Sequence, residues 1–142
     1  MHGRLSKGYV ALSVMLIVLI TSLAAAADGS VLTGLSPRQF KSMLERSGND
    51  ANVVLLDIRT PREFASGHIA GAVLIDYYSS DFVDRLKALD RQKTFLIYCR
   101  SGNRTGKSLA IFEKLGFKHV FHLEKGLIGW VSENYPLVSQ AG

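Results

Sequence analysis

The chain is 142 residues long, with 17 Lys and Arg against 12 Asp and Glu, a formal charge of +5, 47% hydrophobic residues and a single cysteine. That length holds one domain beyond a leader, and one cysteine excludes a framework of internal disulfides. The basic excess is small and its residues are interleaved with acids, which argues against a nucleic-acid-binding surface.

Residues 1–27 carry a short basic start (Arg4, Lys7), an apolar stretch from about Tyr9 to Leu23, and Ala24 to Ala27 ahead of Asp28. This is the layout of a secretory signal with an A-x-A cleavage site, cut after Ala26 or Ala27. The run from Tyr9 to Ala27 is also just long enough to span a bilayer, so an uncleaved anchor is the alternative; Ser13, Thr21, Ser22 and the small alanines weaken it. Either way residues 28–142 are expected outside the cytoplasm, periplasmic or secreted, or membrane-anchored and facing outward. No cysteine near the cleavage site offers a point for lipid attachment.

From Asp28 onward helix and strand signals alternate. Ser36-Pro37 reads as N-cap and first helical position, with Phe40, Met43 and Leu44 on one face. Val53 to Ile58 is a short, nearly continuous apolar strand suited to burial on both faces of a parallel sheet. Thr60-Pro61-Arg62-Glu63 is a capping box that opens a brief helix. Ala72 to Ile75 reads as another buried strand, and Phe82, Val83, Leu86 and Leu89 mark the next helix. Phe95 to Tyr98 is the third strong strand, followed by a helix bearing Leu109, Phe112 and Leu115. A weaker strand around His119 to Leu123 and a helix near Leu127 to Ser132 complete the order. The expected fold is α/β: an open, mainly parallel sheet of about five strands with helices on both faces.

The third strand runs directly into Cys99-Arg100-Ser101-Gly102-Asn103-Arg104. The cysteine therefore lies in a short loop between a strand's carboxyl end and a helix N-terminus, where ligand crevices of parallel sheets form. Unpaired backbone N–H groups and the positive end of the helix dipole favour an anionic sulfur there, as do the flanking Arg100 and Arg104. Backbone N–H groups from Arg100 to Arg104 can converge on one point, and Gly102 allows the bend without a Cβ clash. Arg100 and Arg104 are expected to attract an anionic substrate through planar forks suited to oxyanions, with Ser101 and Asn103 adding hydrogen bonds.

These residues resemble a known family. Asp57-Ile58-Arg59 with Glu63-Phe64, then Gly67 to Ala72, then Cys99 to Arg104, and later Gly126 with Gly129-Trp130 are similar, in that order, to a single-domain rhodanese. The resemblance implies a rhodanese-like fold and sulfurtransferase activity. Cys99 takes a sulfane sulfur from thiosulfate or a similar donor as a persulfide. It then passes the outer sulfur to cyanide or a thiol, including a thiol on a thioredoxin-like protein. No cofactor or metal enters such chemistry. Asp57, Arg59 and Glu63 are expected to support the site, Asp57 by capping loop N–H groups and Arg59 by pairing with Glu63. The same residues also suit a persulfide carrier or sulfide-sensing module that serves a protein partner.

Loop length separates this from a neighbouring chemistry. Phosphatases and arsenate reductases of related fold use Cys-x5-Arg to encircle a tetrahedral oxyanion, whereas here Arg104 comes one position earlier and Thr105 stands in the arginine's place. Other motifs read as structural. Gly106-Lys107-Ser108 lacks the glycine spacing of a nucleotide-binding P-loop. His119 and His122, three apart on a strand, point to opposite faces and are expected to pack rather than bind metal. His68 belongs to the turn before a strand, and Trp130 to the core, with a place near the pocket mouth also compatible.

Overall fold

The structure, a computed structural model, describes residues 29–139. The leader read at 1–27 lies outside the described residues. Five strands alternate with five helices: β1 (Val31–Leu35), α1 (Pro37–Ser47), β2 (Val53–Asp57), α2 (Pro61–Ser66), β3 (Val73–Leu74), α3 (Phe82–Lys87), β4 (Thr94–Tyr98), α4 (Asn103–Lys114), β5 (His119–Leu123) and α5 (Gly126–Ser132). The strands form one sheet in the order β1-β5-β4-β2-β3, every pair parallel.

The sheet is central because its inner strands are apolar on both sides. Leu56, Ile58, Phe95, Ile97 and Val120 face one cluster with Leu86 of α3, Phe112 of α4 and Phe117 of the turn after α4. Phe95, Phe112 and Phe117 meet there at ring separations of 5.0 to 6.4 Å. On the opposite face Leu55, Leu96, Tyr98 and Leu123 pack with Phe40 of α1 and with Leu127 and Trp130 of α5. The helix starts follow their local chemistry. Ser36 and Thr60 each complete a capping box, with Gln39 and Glu63 respectively, and each is followed by proline.

Two elements differ from the sequence expectation. The segment read as a buried strand at Ala72 to Ile75 contributes only Val73–Leu74, at the sheet edge, where Val73 is 52% exposed. At the other edge β1 adds a strand that the sequence pattern did not mark. Thr33 and Gly34 interrupt its apolar run, and an edge strand needs only one covered face.

The connections position the crevice. From β2 the chain proceeds to β3 on one side, and from β4 to β5 on the other. Loops that leave two adjacent parallel strands in opposite directions open a gap at their carboxyl ends. Asp57 and Tyr98, the last residues of β2 and β4, are register partners at that gap.

Candidate active site

Cys99 follows β4 directly, and its Sγ accepts a hydrogen bond from the Gly102 backbone N–H at 3.2 Å. Gly102 has φ 89°, and a Cβ there would stand 1.7 Å from the Glu124 carbonyl oxygen. Only glycine lets the loop reverse this close to the segment after β5. The outward carbonyls of the loop are held from the same side. Leu127 N–H donates to the Cys99 carbonyl at 2.9 Å and Ile128 N–H to the Arg100 carbonyl at 3.0 Å. Gly126 permits that approach, since its φ is 53° and a Cβ would fall 2.5 Å from the Cys99 and Arg100 carbonyl oxygens. The start of α5 thus clamps the back of the cysteine loop.

The sulfur itself is fully buried. Besides Gly102, its neighbour is the Thr105 hydroxyl at 3.7 Å, and that hydroxyl lies 3.1 Å from His122 Nδ1. His122 occupies β5 beside Ile97 of β4, on the face that looks toward α4. Burial lowers its imidazole below the ordinary histidine range, against a smaller opposing pull from Glu124.

The arginines divide into distinct environments. Arg104, on the first turn of α4, forms two side-chain hydrogen bonds with Glu63 at 2.8 and 2.7 Å, and its guanidinium lies 5.5 Å from the Tyr78 ring centroid. Glu63 is the acid of the α2 capping box, accepting also from Thr60 N–H and hydroxyl at 3.0 Å. The hydrogen bonds from Arg104 are the main cause that lowers its carboxyl to about 2, burial opposing and Thr60 assisting. Arg104 is raised in turn, chiefly by Glu63.

Arg59 does not pair with Glu63 as the sequence suggested. Its guanidinium grips Asp57 instead, with Nε 2.9 Å and Nη2 2.6 Å from Oδ2, and Nη2 also donates to the Gly67 carbonyl at 2.7 Å. Two residues apart at the end of β2, these side chains are fixed to each other by the backbone, while Glu63 is turned toward α4 by its own cap. The Asp57 carboxylate also caps the loop, accepting from Arg59 N–H at 2.9 Å. Both residues are buried. Burial tends to lower Arg59, but the Asp57 contacts outweigh it and leave the guanidinium raised. Tyr98 lies beneath, its hydroxyl accepting from Ile69 N–H at 3.0 Å, and burial raises that phenol.

Arg100, Ser101 and Asn103 are exposed. Arg100 lines a cleft of about 540 Å³ whose walls include Arg59, Glu63, Leu127, Ile128 and Val131. The nine residues Cys99 to Arg104, Asp57, Arg59 and Glu63 therefore gather at one end of β2 and β4. Thr105, His122, Gly126 and Tyr78 join them; the sequence assigned none of the four to the site, and His122, read there as a packing residue, contacts the Thr105 hydroxyl beside the sulfur. His68 is structural: it stacks on Phe64 at 3.7 Å and its Nδ1 lies 3.0 Å from the Phe64 carbonyl. Trp130 is buried against Phe40 and Tyr135 and donates to the Pro136 carbonyl. Among the described residues, no group of three or more His, Cys, Asp or Glu could hold a metal ion.

Comparison with known proteins agrees with this geometry. A rhodanese-like domain family model matches residues 36–133. The chain is 34% identical over 113 residues to a probable adenylyltransferase/sulfurtransferase MoeZ of Mycobacterium tuberculosis, covering 80% of this chain but only 27% of that protein. It is 31% identical over 102 residues to a sulfurtransferase of Allochromatium vinosum, covering 72% of this chain and 94% of that one. With the thiosulfate sulfurtransferase GlpE of Pseudomonas aeruginosa it shares 35% identity over 108 residues, covering 76% and 91%. Among solved structures, a rhodanese-related protein from Thermoplasma volcanium superposes with a TM-score of 0.64 at 25% identity over 75% of this chain and 97% of that chain. A rhodanese-like domain from Anabaena gives a TM-score of 0.64 at 26% identity, over 77% and 85%.

Proposed function

The chain belongs to the rhodanese-like domain family, and on that premise we propose that it is a sulfurtransferase using Cys99 as the sulfur acceptor. The observation that carries this reading is the Gly102 N–H at 3.2 Å from Cys99 Sγ, inside a loop clamped by α5. A fixed donor aimed at sulfur favours the thiolate needed for attack and then the anionic persulfide that follows.

With thiosulfate as donor, the Cys99 thiolate attacks the sulfane sulfur. A new S–S bond forms at Cys99, the bond between the two thiosulfate sulfurs breaks, and sulfite leaves with the electron pair. Cyanide or an acceptor thiolate then attacks the outer sulfur, giving thiocyanate or a new persulfide and returning the Cys99 thiolate. Arg100 supplies the positive charge at the cleft for an anionic donor, while Arg104, committed to Glu63, shapes the loop wall. Asp57 and Arg59 brace the floor, and the exposed Ser101 and Asn103 are assigned hydrogen bonds to the donor.

Delivery to a protein thiol, for example on a thioredoxin-like partner, is the second reading. The apolar cleft rim favours it, with Ile128 56% and Val131 51% exposed beside Arg100. The proposed leader would place either activity outside the cytoplasm; fractionation of cells carrying the full chain tests this, and a wholly cytoplasmic protein would refute it. Intact-mass measurement after thiosulfate tests the main reading. It should show the gain of one sulfur atom, lost on adding cyanide with release of thiocyanate. Loading with negligible cyanide turnover but rapid transfer to a protein thiol would select the carrier reading, and no loading from any sulfane donor would refute both.

A further inference from the structure

We infer that His122 is a positioning residue for Cys99, drawing the thiol proton away through the hydroxyl of Thr105. The inference rests on Cys99 being the sulfur-accepting thiol, and it adds a proton path to that chemistry.

Three groups line up beneath the loop. Cys99 Sγ is 3.7 Å from Thr105 Oγ1, within reach of a bond donated by a thiol, and Thr105 Oγ1 is 3.1 Å from His122 Nδ1. Each comes from a different part of the fold: the loop after β4, the first turn of α4, and the end of β5. Cys99 and Thr105 are fully buried, so bulk water does not compete for the thiol proton. The Thr105 hydroxyl has one proton and two acceptors, the Gly102 carbonyl at 3.1 Å and His122 Nδ1. Rotation between them either isolates the sulfur or completes the path.

The transfer is balanced. Cys99 S–H gives its proton to Thr105 Oγ1 while Thr105 gives its own to His122 Nδ1. The thiol and neutral imidazole become thiolate and imidazolium, with the hydroxyl restored. No oxidant or co-reactant is required, and the proton returns by the same route when the thiol reforms. Burial favours the neutral imidazole, and its Nε2–H tautomer leaves Nδ1 free to accept. Cys99 faces His122 through Thr105 from the α4 side, and Glu124, whose side chain lies across Gly34 of β1, acts on it from the end of its own strand. Burial, the larger influence, disfavours the imidazolium that the transfer creates, while the Glu124 carboxylate and the new Cys99 thiolate both favour it.

Because the chain has one cysteine, the thiolate absorbance band in the ultraviolet reports Cys99 alone across a pH series, without any substrate. Thr105→Val and His122→Gln should each lower the thiolate-to-thiol ratio at pH 7 roughly tenfold, and Thr105→Ser should restore it. A purely structural role for either residue would lower the melting temperature without moving this curve. Identical curves in wild type and both variants would overturn the inference. If the variants fail to fold, the His122 ring nitrogen resonances decide it in folded protein. They should shift between wild type and Cys99→Ser, and coincident His122 titrations in the two would overturn the inference. Neither readout requires sulfur transfer, so a failure of thiosulfate loading, which counts against the proposed function, is distinguishable from a failure of the proton path.

Discussion

Glu63 and Arg104, 41 residues apart in the chain, close on each other through hydrogen bonds of 2.8 and 2.7 Å. The pair ties the cap of α2 to the first turn of α4 and so joins the two sides of the crevice. Neither residue reaches the sulfur, yet between them they set where the loop's helical end lies. The Tyr78 ring against Arg104 closes the third side.

That pair makes stability depend on acid. The Glu63 carboxyl is lowered to about 2 in the folded protein from an ordinary 4.5, so its contribution is complete above the unfolded value and fades as pH falls from about 4.5 through about 2. Side-chain exposures of 13% for Arg104 and 28% for Glu63 leave some solvent screening. Glu63→Gln should therefore cost about 1–2 kcal/mol at pH 7 and progressively less as the medium approaches pH 2. Urea unfolding at several pH values checks this, and a cost independent of pH would refute the ionic origin.

Much of the site was legible in the sequence because its elements are local. Val53 to Leu56 and Phe95 to Tyr98 are apolar runs too short for helices, and a glycine-containing loop between strand and helix places Cys99 without tertiary information. The capping box at Thr60 is likewise a four-residue signal. What escaped depends on distance in the chain. Arg59 had two carboxylates within reach, Asp57 and Glu63, and only the turn of α2 decides that Glu63 goes to Arg104. Thr105 and His122, 17 residues apart, meet because β5 is parallel to β4, a register that no local pattern states. The edge strand β1 escaped for another reason: half-exposed and interrupted by Thr33 and Gly34, it carries little periodic signal.

Gly102→Ala tests the loop's backbone. The added Cβ would meet the Glu124 carbonyl at 1.7 Å at a φ of 89°, and backbone on both sides prevents an easy retreat. A cost of about 3 kcal/mol or more is expected, together with loss of sulfur loading. Thermal melting and intact-mass measurement would check it, and a wild-type melting temperature would show that the loop is free to rearrange.

The Asp57–Arg59 brace should be sensitive to geometry as well as charge. Arg59→Lys keeps the positive charge but cannot reproduce the fork on Asp57 together with the bond to Gly67 O. Arg59→Leu leaves Asp57 buried without its cation, for which about 3–5 kcal/mol is expected, with Arg59→Lys falling between. Denaturant midpoints for the two variants check the order, and equal stability of wild type and Arg59→Leu would show that the pair is dispensable.

Arg100 and Arg104 should separate in their effects on an anionic donor. Arg100 is exposed at the cleft and has no carboxylate partner among the ion pairs of the described residues, whereas Arg104 is already neutralised by Glu63. Arg100→Ala should raise the KM for thiosulfate several-fold, by roughly the tenfold that about 1.4 kcal/mol represents at most, with little change in stability. Added salt should reproduce part of that rise in wild type by screening the exposed cation. Arg104→Ala should instead lower the melting temperature and affect kcat as much as KM, because it leaves Glu63 unpaired beside the loop. Steady-state kinetics at two ionic strengths distinguish the roles. If Arg104→Ala changed only KM and Arg100→Ala changed nothing, the donor's charge would be read by Arg104 despite its carboxylate partner.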